Sequence, residues 1–179
     1  MSKINFKDAI IKIGSWTLIK LPKSASAPLP SRGMTMVQGT INGIPFQTPL
    51  EPDGKGSHWF KIDKSLQKSA GIAAGDTVTV EIEPTKEWPD PVVPPDLKKA
   101  LVSSPPEHRI WVSLTPMARW DWIRWINATK NPATRQKRIE NTIGKLNSGK
   151  RRPCCFNRSQ CTEPDVSHNG MLIDPTQHL

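Results

Sequence analysis

MTMVQGTINGIPFQTPL, residues 34–50, carries near its centre the pair Asn42-Gly43. That dipeptide is a strong short-range hairpin signal, because a two-residue type I′ turn needs positive φ at both central positions. Centring the turn there sets a register in which Ile41 faces Ile44, Gly39 faces Phe46, Val37 faces Thr48 and Thr35 faces Leu50, all on one side of the ribbon. Gly39 is expected to leave room for the Phe46 ring. Pro45 opposes Thr40 in a pair that exchanges no ladder bonds, so its missing N–H faces outward, as at a sheet edge or barrel rim.

Upstream, residues 4–21 hold two further strand patterns, INFKDAIIKI and WTLIKLP, with Gly14-Ser15 between them as the turn. Ala9, Ile11 and Ile13 share one face of the first, but Ile10 breaks strict alternation. KSASAPLPSR (23–32) is a loop or short helical turn. After the hairpin, EPDGKGS is dense in turn formers and leads into HWFKID. Asp63 then N-caps a short helix, KSLQKSA, which Gly71 ends in the left-handed conformation. TVTVEIE (77–83) alternates cleanly, with Val78, Val80 and Ile82 on one face. About six strands with one short helix before the last predict a small closed antiparallel six-stranded β-barrel over residues 1–87, since closure removes exposed edges.

Four prolines in WPDPVVPP mark a linker at 88–95, beyond which the period changes to helical. Leu97 and Leu101 pair at i, i+4, and Ile110, Trp111 and Leu114 share a stripe. Thr115-Pro116 and Asn131-Pro132 each give an N-cap followed by proline at the first helical position. Ile139, Ile143 and Leu146 form the apolar stripe of the last helix, with Gly149 just past its end. A C-terminal helical appendage is therefore expected at 96–152, followed by an irregular tail at 153–179.

Net charge is +9. It is concentrated, because residues 116–152 alone carry +8 while the stretch from 153 onward carries −2. An anionic partner (nucleic acid, acidic protein or membrane surface) acting through 119–152 follows as one reading. No apolar run approaches the roughly 20 residues of a membrane span. MSKINFKDAIIKIG lacks the apolar region of a secretory signal. With three cysteines read as reduced thiols, a cytoplasmic location is expected.

The blocks SRGMTMVQGTINGIPFQTPLEPDGKGSHWFKIDKSLQKSAGIAAGDTVTVEIEP and EWPDPVVPPDLKKAL resemble a bacterial small-barrel family of unknown function. LTPMARWDWIRWINATKNPATRQKRIENTIGKLNSGKRRP is similar to the bacteriocin-protection, YdeI or OmpD-associated family. Its motifs stand here as Trp125-Ile126 with Thr129-Lys130, and Thr134-Arg135 with Arg138-Ile139. The resemblance covers roughly residues 4–153. It implies a six-stranded barrel with a helical appendage and a link to resistance against antimicrobial peptides, and it supplies no catalytic residue.

Three constellations carry chemistry. Arg119, Trp120, Arg124, Lys130, Arg135 and Arg138 mix guanidinium and ammonium groups with an indole, a combination that can stack on bases and neutralise phosphates. The competing reading is packing, with Trp122, Trp125 and Ile126 inward and Arg124 solvated. Trp120, roughly 160° round the helix from Trp122, is the expected exposed contact. The second is the loop Asp53, Lys55, Ser57, His58 and Trp59 with Arg32, where glycines permit close approach of a ligand at a barrel mouth. The competing reading is a connector. The third, Cys154, Cys155, Cys161 and His168, lacks the paired spacing of a structural zinc site. No metal and no cofactor are expected, and no motif supports catalysis. The favoured function is a non-catalytic binding or stress-protection protein; a nucleic-acid-binding module and a small-molecule or enzymatic site at the barrel mouth are the alternatives.

Overall fold

The computed structural model of the chain describes residues 3–153, 164–168 and 170–173. The chain divides into two compact units, Met1–Glu87 together with Asp165–Leu179, and Trp88–Pro164.

In the first unit the strands are β1 (Ile4–Ala9), β2 (Ile11–Ile13), β3 (Trp16–Lys20), β4 (Thr35–Ile41), β5 (Ile44–Pro52), β6 (His58–Lys61) and β7 (Thr77–Pro84). They form one antiparallel seven-stranded sheet in the order β1-β7-β4-β5-β6-β3-β2. The sheet is an open half-barrel, which corrects the expectation of a closed six-stranded one. Two bends mark the difference. Ile10, which spoiled the alternation, is a buried corner whose N–H and C=O leave the ladder for Asp76 O and Gly75 N, both at 2.8 Å. The first strand is thereby broken into β1, which pairs with β7, and β2, which pairs with β3. These are the two ends of the sheet, and no ladder between them seals it among the described residues. The second bend is in β5, which pairs with β4 through Leu50 and with β6 only from Glu51.

The hairpin has the register read from its turn, including Ile41 opposite Ile44 and Gly39 opposite Phe46. Asn42 (φ 47°) and Gly43 (φ 82°) are both left-handed. The tip is also tied sideways to β7. Asn42 N–H donates to Thr79 O at 2.8 Å, and Asn42 Oδ1 accepts from Thr79 N at 2.9 Å. Among the described residues, β5 has a strand partner on one side only between Ile44 and Leu50, and Pro45 and Pro49 blunt the other side.

Gly39 serves a different neighbour from the one expected. A Cβ there would collide with the Glu81 carbonyl oxygen and lie 2.8 Å from Ile82 Cα, so the missing side chain admits the β7 backbone. Phe46 instead stacks on Phe60, with centroids 5.3 Å apart and planes at 20°.

The inner face gathers Phe6, Ile19, Val37, Ile41, Leu50, Phe60, Val78, Val80 and Ile82. Two short helices close onto it. Helix α1 (Lys23–Ser26) brings Ala25, and α2 (Lys64–Ala70) brings Leu66 and Ala70. Asp63 Oδ1 accepts from Leu66 N at 2.7 Å, and Gly71 sits at φ 63°, so both ends of α2 are those the sequence signals.

β3 and β6 are buried on both faces. Leu18 and Trp59 point away from the main core into a second cluster with Ile13, Val166 and Leu172. The last two come from a small hairpin, β8 (Ser167–His168) and β9 (Met171–Leu172). Val166, Leu172 and Ile173, which lie within the stretch 153–179, thus cover the second leaf of the first unit.

The second unit is helical: α3 (Pro95–Val102), α4 (Pro105–Ser113), α5 (Pro116–Asn127) and α6 (Pro132–Asn147). All four begin with proline at the first helical turn. Thr115 Oγ1 and Asn131 Oδ1 cap α5 and α6. Leu97, Leu101, Trp111, Leu114, Trp122, Ile126, Ile139 and Leu146 form its core. Residues 88–95 are held rather than free. Trp88 meets Trp120 edge-on at 6.1 Å, Pro89 O accepts from Trp120 Nε1 at 2.8 Å, and Val93 packs on the helical core.

Gly39→Ala is expected to destabilise the protein by at least about 2–3 kcal/mol, as overpacking against an immobile backbone does. Gly43→Ala, with nothing within 4 Å of the new methyl, costs only the left-handed penalty of about 1–2 kcal/mol. Urea unfolding of the two variants side by side checks the order.

Candidate functional site

The residues proposed for a ligand loop do converge, but on one another. Asp53 is buried and turns its carboxylate back on its own loop, with Oδ1 accepting from Lys55 N at 2.7 Å and Ser57 N at 2.9 Å. Ser57 Oγ donates to Leu21 O at 2.8 Å. His58 is buried between the α1 segment and the 31–34 loop, its Nδ1 2.7 Å from Ser26 Oγ and its Nε2 2.8 Å from Gly33 O. A carbonyl can only accept, so Nε2 carries the proton and Nδ1 receives the Ser26 hydroxyl hydrogen. Arg32 completes the network by donating to Ser26 O at 2.6 Å and Leu29 O at 3.3 Å. Trp59 is wholly buried in the second cluster. Lys55 and Arg32 are the exposed residues of the set, and the Arg32 guanidinium is turned onto Ser26 and Leu29. The group is a clasp that pins residues 22–34 to β6.

Burial is the main reason the His58 imidazole lies below its ordinary value; the Gly33 carbonyl opposes the shift and the Arg32 charge reinforces it. With Ser26 completely buried, the Ser26–His58 pair has no access for a substrate.

In the helical unit most of the proposed anion contacts are already engaged. Arg119 pairs with Asp90 at 3.0 Å. Arg135 grips Asp96 with two donors, Nε at 2.6 Å and Nη2 at 3.0 Å, and gives Nη1 to Asn127 Oδ1 at 2.7 Å. That fork holds the Asp96 carboxyl below its ordinary range. Arg138 donates to Trp125 O and lies over the Trp125 ring, 5.3 Å from its centroid, as does Lys145. Trp120, expected to be the exposed contact, is half-buried against Trp88 and hydrogen-bonded through its indole N–H. Arg124 is half-buried and Lys130 is exposed. Cys154, Cys155 and Cys161 lie outside the described residues, and His168 is exposed on β8.

A concavity lies elsewhere, a trough of about 490 Å³ across β7, β4 and β5, lined by Lys3, Gln38, Thr40, Gln47, Glu81 and Glu83, among others. Register explains the grouping. Gln38 stands opposite Gln47 and Glu83, and Thr40 opposite Pro45 and Glu81, so these side chains share the outer face. Lys3 Nζ reaches Glu81 Oε1 at 2.9 Å, Gln38 Nε2 donates to Glu83 Oε1 at 3.1 Å, and Gln47 Nε2 donates to Glu87 O at 2.8 Å. A carboxylate offers about four lone-pair sites, so both glutamates keep acceptor capacity. The trough is rich in acceptors on a stiff floor. The alternation of TVTVEIE placed Glu81 and Glu83 on the outer face, but only the pairing of three strands brings the two glutamines beside them.

Residues 6–82 match the family model DUF1905, a domain of unknown function. Residues 90–149 match the Bacteriocin-protection, YdeI or OmpD-Associated family. The two matches follow one another along the chain in that order. The trough and the His58 clasp fall within the stretch that matches DUF1905, apart from Lys3 and Glu83, which flank it. The Trp/Arg helices fall within the OmpD-associated one. No curated protein matches the sequence.

His58 gives a pH signature. The unfolded chain takes up a proton near pH 6.5 and the folded chain only at lower pH, so the unfolded state binds more protons across that interval. Stability is full above pH 6.5 and falls as pH drops toward the folded-state value, with a slope of at most about 1.4 kcal/mol per pH unit. Urea unfolding between pH 7.5 and 5 should show this slope, and His58→Gln should flatten it.

Proposed function

We propose that this chain is a non-catalytic cytoplasmic binding protein of the protective kind, with its ligand surface on the outer face of the DUF1905 half-barrel. The observation that carries the reading is the trough of about 490 Å³ with its acceptor-rich lining. Its carboxylate, amide and hydroxyl oxygens suit a ligand rich in N–H donors, such as an amine, a guanidinium compound or a basic peptide. Binding is favoured over turnover because the histidine, serine and aspartate with acid–base potential are occupied in the clasp around α1. The second family's name speaks of bacteriocin protection, a role that sequestering a ligand can serve without chemistry.

A thermal-shift screen of amines, guanidinium compounds, basic peptides, nucleotides and oligonucleotides tests the reading, run on the wild type and on Thr40→Trp. Thr40 faces outward, so an indole there fills the trough while keeping a residue that suits a strand. A ligand at 100 times its Kd should stabilise the wild type by about 2.7 kcal/mol and leave the variant unmoved. An equal shift in both proteins moves the site off the trough. A shift from oligonucleotides alone, weakening with salt, transfers the function to the basic helices.

A further inference from the structure

The outer-face trough presents hydrogen-bonding groups largely of one kind. Gln38 Nε2 donates to Glu83 Oε1, Gln47 Nε2 donates to the Glu87 carbonyl, and both of those partners can only accept. Each amide therefore spends its N–H group on the protein and keeps its oxygen for the trough. The carboxylates are half-used in the same way. Oε1 of Glu81 is held by Lys3 and Oε1 of Glu83 by Gln38, while the second oxygen of each stays open among the described residues.

Main-chain groups at the β5 rim repeat the pattern. Ile41 and Ile44 close the two-residue turn, so β5 bonds to β4 through Ile44, Phe46, Thr48 and Leu50. The backbone groups of Pro45, Gln47 and Pro49 point the other way. With proline at two of these positions, the rim offers three carbonyls and a single N–H.

Such a surface sorts ligands by their donors. An extended peptide joining the β5 edge would bring carbonyls of its own and find only the Gln47 N–H to receive them. A guanidinium compound supplies donors but concentrates its charge in one planar group. Glu81 and Glu83, however, stand two residues apart on one face of β7, about 6.8 Å along the strand. Two ammonium groups joined by a short methylene chain answer both carboxylates, and an ammonium carries three donors and no acceptor. One contact of this type is already present. Lys3 Nζ donates to Glu81 Oε1 at 2.9 Å, and that hydrogen bond, with the Glu81 and Glu83 charges, holds the Lys3 ammonium above its ordinary value. The two side chains are 60% and 37% exposed, so an incoming ammonium can take the place of Lys3 at little cost.

We propose, on the reading that the trough is the ligand site, that its ligand is a linear aliphatic diamine or longer polyamine, laid along β7 with one ammonium on Glu83 and the next on Glu81 in the seat of Lys3 Nζ. Gln38 and Thr40, opposite Glu83 and Glu81 on β4, receive further N–H groups through their side-chain oxygens. Lys3 is a tethered competitor for the Glu81 seat.

Isothermal titration of the full chain with diaminobutane and diaminopentane, against butylamine as the single-charge reference, tests the assignment. The diamines should bind at least about fivefold tighter than butylamine, Glu83→Gln should erase that advantage, and Lys3→Met should tighten diamine binding at least about threefold. Equal affinity for diamine and butylamine, a Lys3→Met variant that binds diamine no more tightly, or no heat from either diamine would overturn the proposal. A guanidinium compound or basic peptide whose binding is lost in Thr40→Trp, and which diamines do not displace, would leave the trough as the site and remove the diamine. Diamine binding that is equal in the wild type and Thr40→Trp would remove both.

Discussion

The left-handed pair Asn42-Gly43 holds more of this structure than the turn it makes. By fixing which residues of β4 and β5 face each other, it also decides which residues β7 meets, because the Asn42 backbone and amide oxygen both bond to Thr79. A slip of one residue would exchange the inward set Val37, Ile41 and Leu50 for Gln38, Thr40 and Pro49. Gly39 makes the register more exclusive still. Only a residue without a Cβ can stand where the Glu81 carbonyl approaches, so β4 admits β7 at one alignment. The core on one face and the trough on the other follow from that single alignment.

Bends in the sheet come from the same economy of apolar side chains. Ile10 is buried at the place where one strand becomes two, and β5 changes partner between Leu50 and Glu51. Both corners let a short sheet wrap its core without a hydrogen-bonded seam. The exposed side of β5 is left to two prolines, which deny a neighbouring chain part of the donor row it would need. α1 and α2 then close over the inner face, and the clasp of Ser26, Arg32 and His58 fastens the first of these to β6.

Local structure was legible in the sequence wherever a signal was local. The hairpin register, the Asp63 and Gly71 ends of α2, the alternation of β7 and the helix starts at Thr115-Pro116 and Asn131-Pro132 follow from neighbouring residues, and the structure has them. Closure was not legible, since it depends on where a strand breaks, and Ile10 looked only like an imperfection in a pattern. The cover on the second leaf was signalled more faintly. Leu18-Ile19 and Trp59-Phe60 are apolar on consecutive residues, which means both faces are covered. The second cover, however, lay more than 100 residues further on in a stretch without periodicity. Trp120 was misplaced for a similar reason. Its partners Trp88 and Pro89 come from the proline segment, whose extended path no helical wheel includes.

Polar residues clustered in sequence and polar residues clustered in space are different populations here, and the difference bears on where function can reside. Asp53, Ser57 and His58 are neighbours in the chain because a turn must satisfy its own amides and fasten a loop, and each is bonded within a few residues or to an adjacent segment. Such groups have little left to offer a ligand. The arginines of α5 and α6 follow the same rule at longer range, through Asp90, Asp96 and the Trp125 carbonyl. The trough residues alternate with inward residues on each strand, and Gln38 and Glu83 meet from 45 residues apart, so the grouping comes from strand pairing and not from a loop satisfying its own amides. Their oxygens keep unused acceptor capacity on a floor whose register is fixed from behind. A binding surface needs that combination of rigid placement and unfilled valence, and in this unit the register of three strands supplies it where the glycine-rich loop does not.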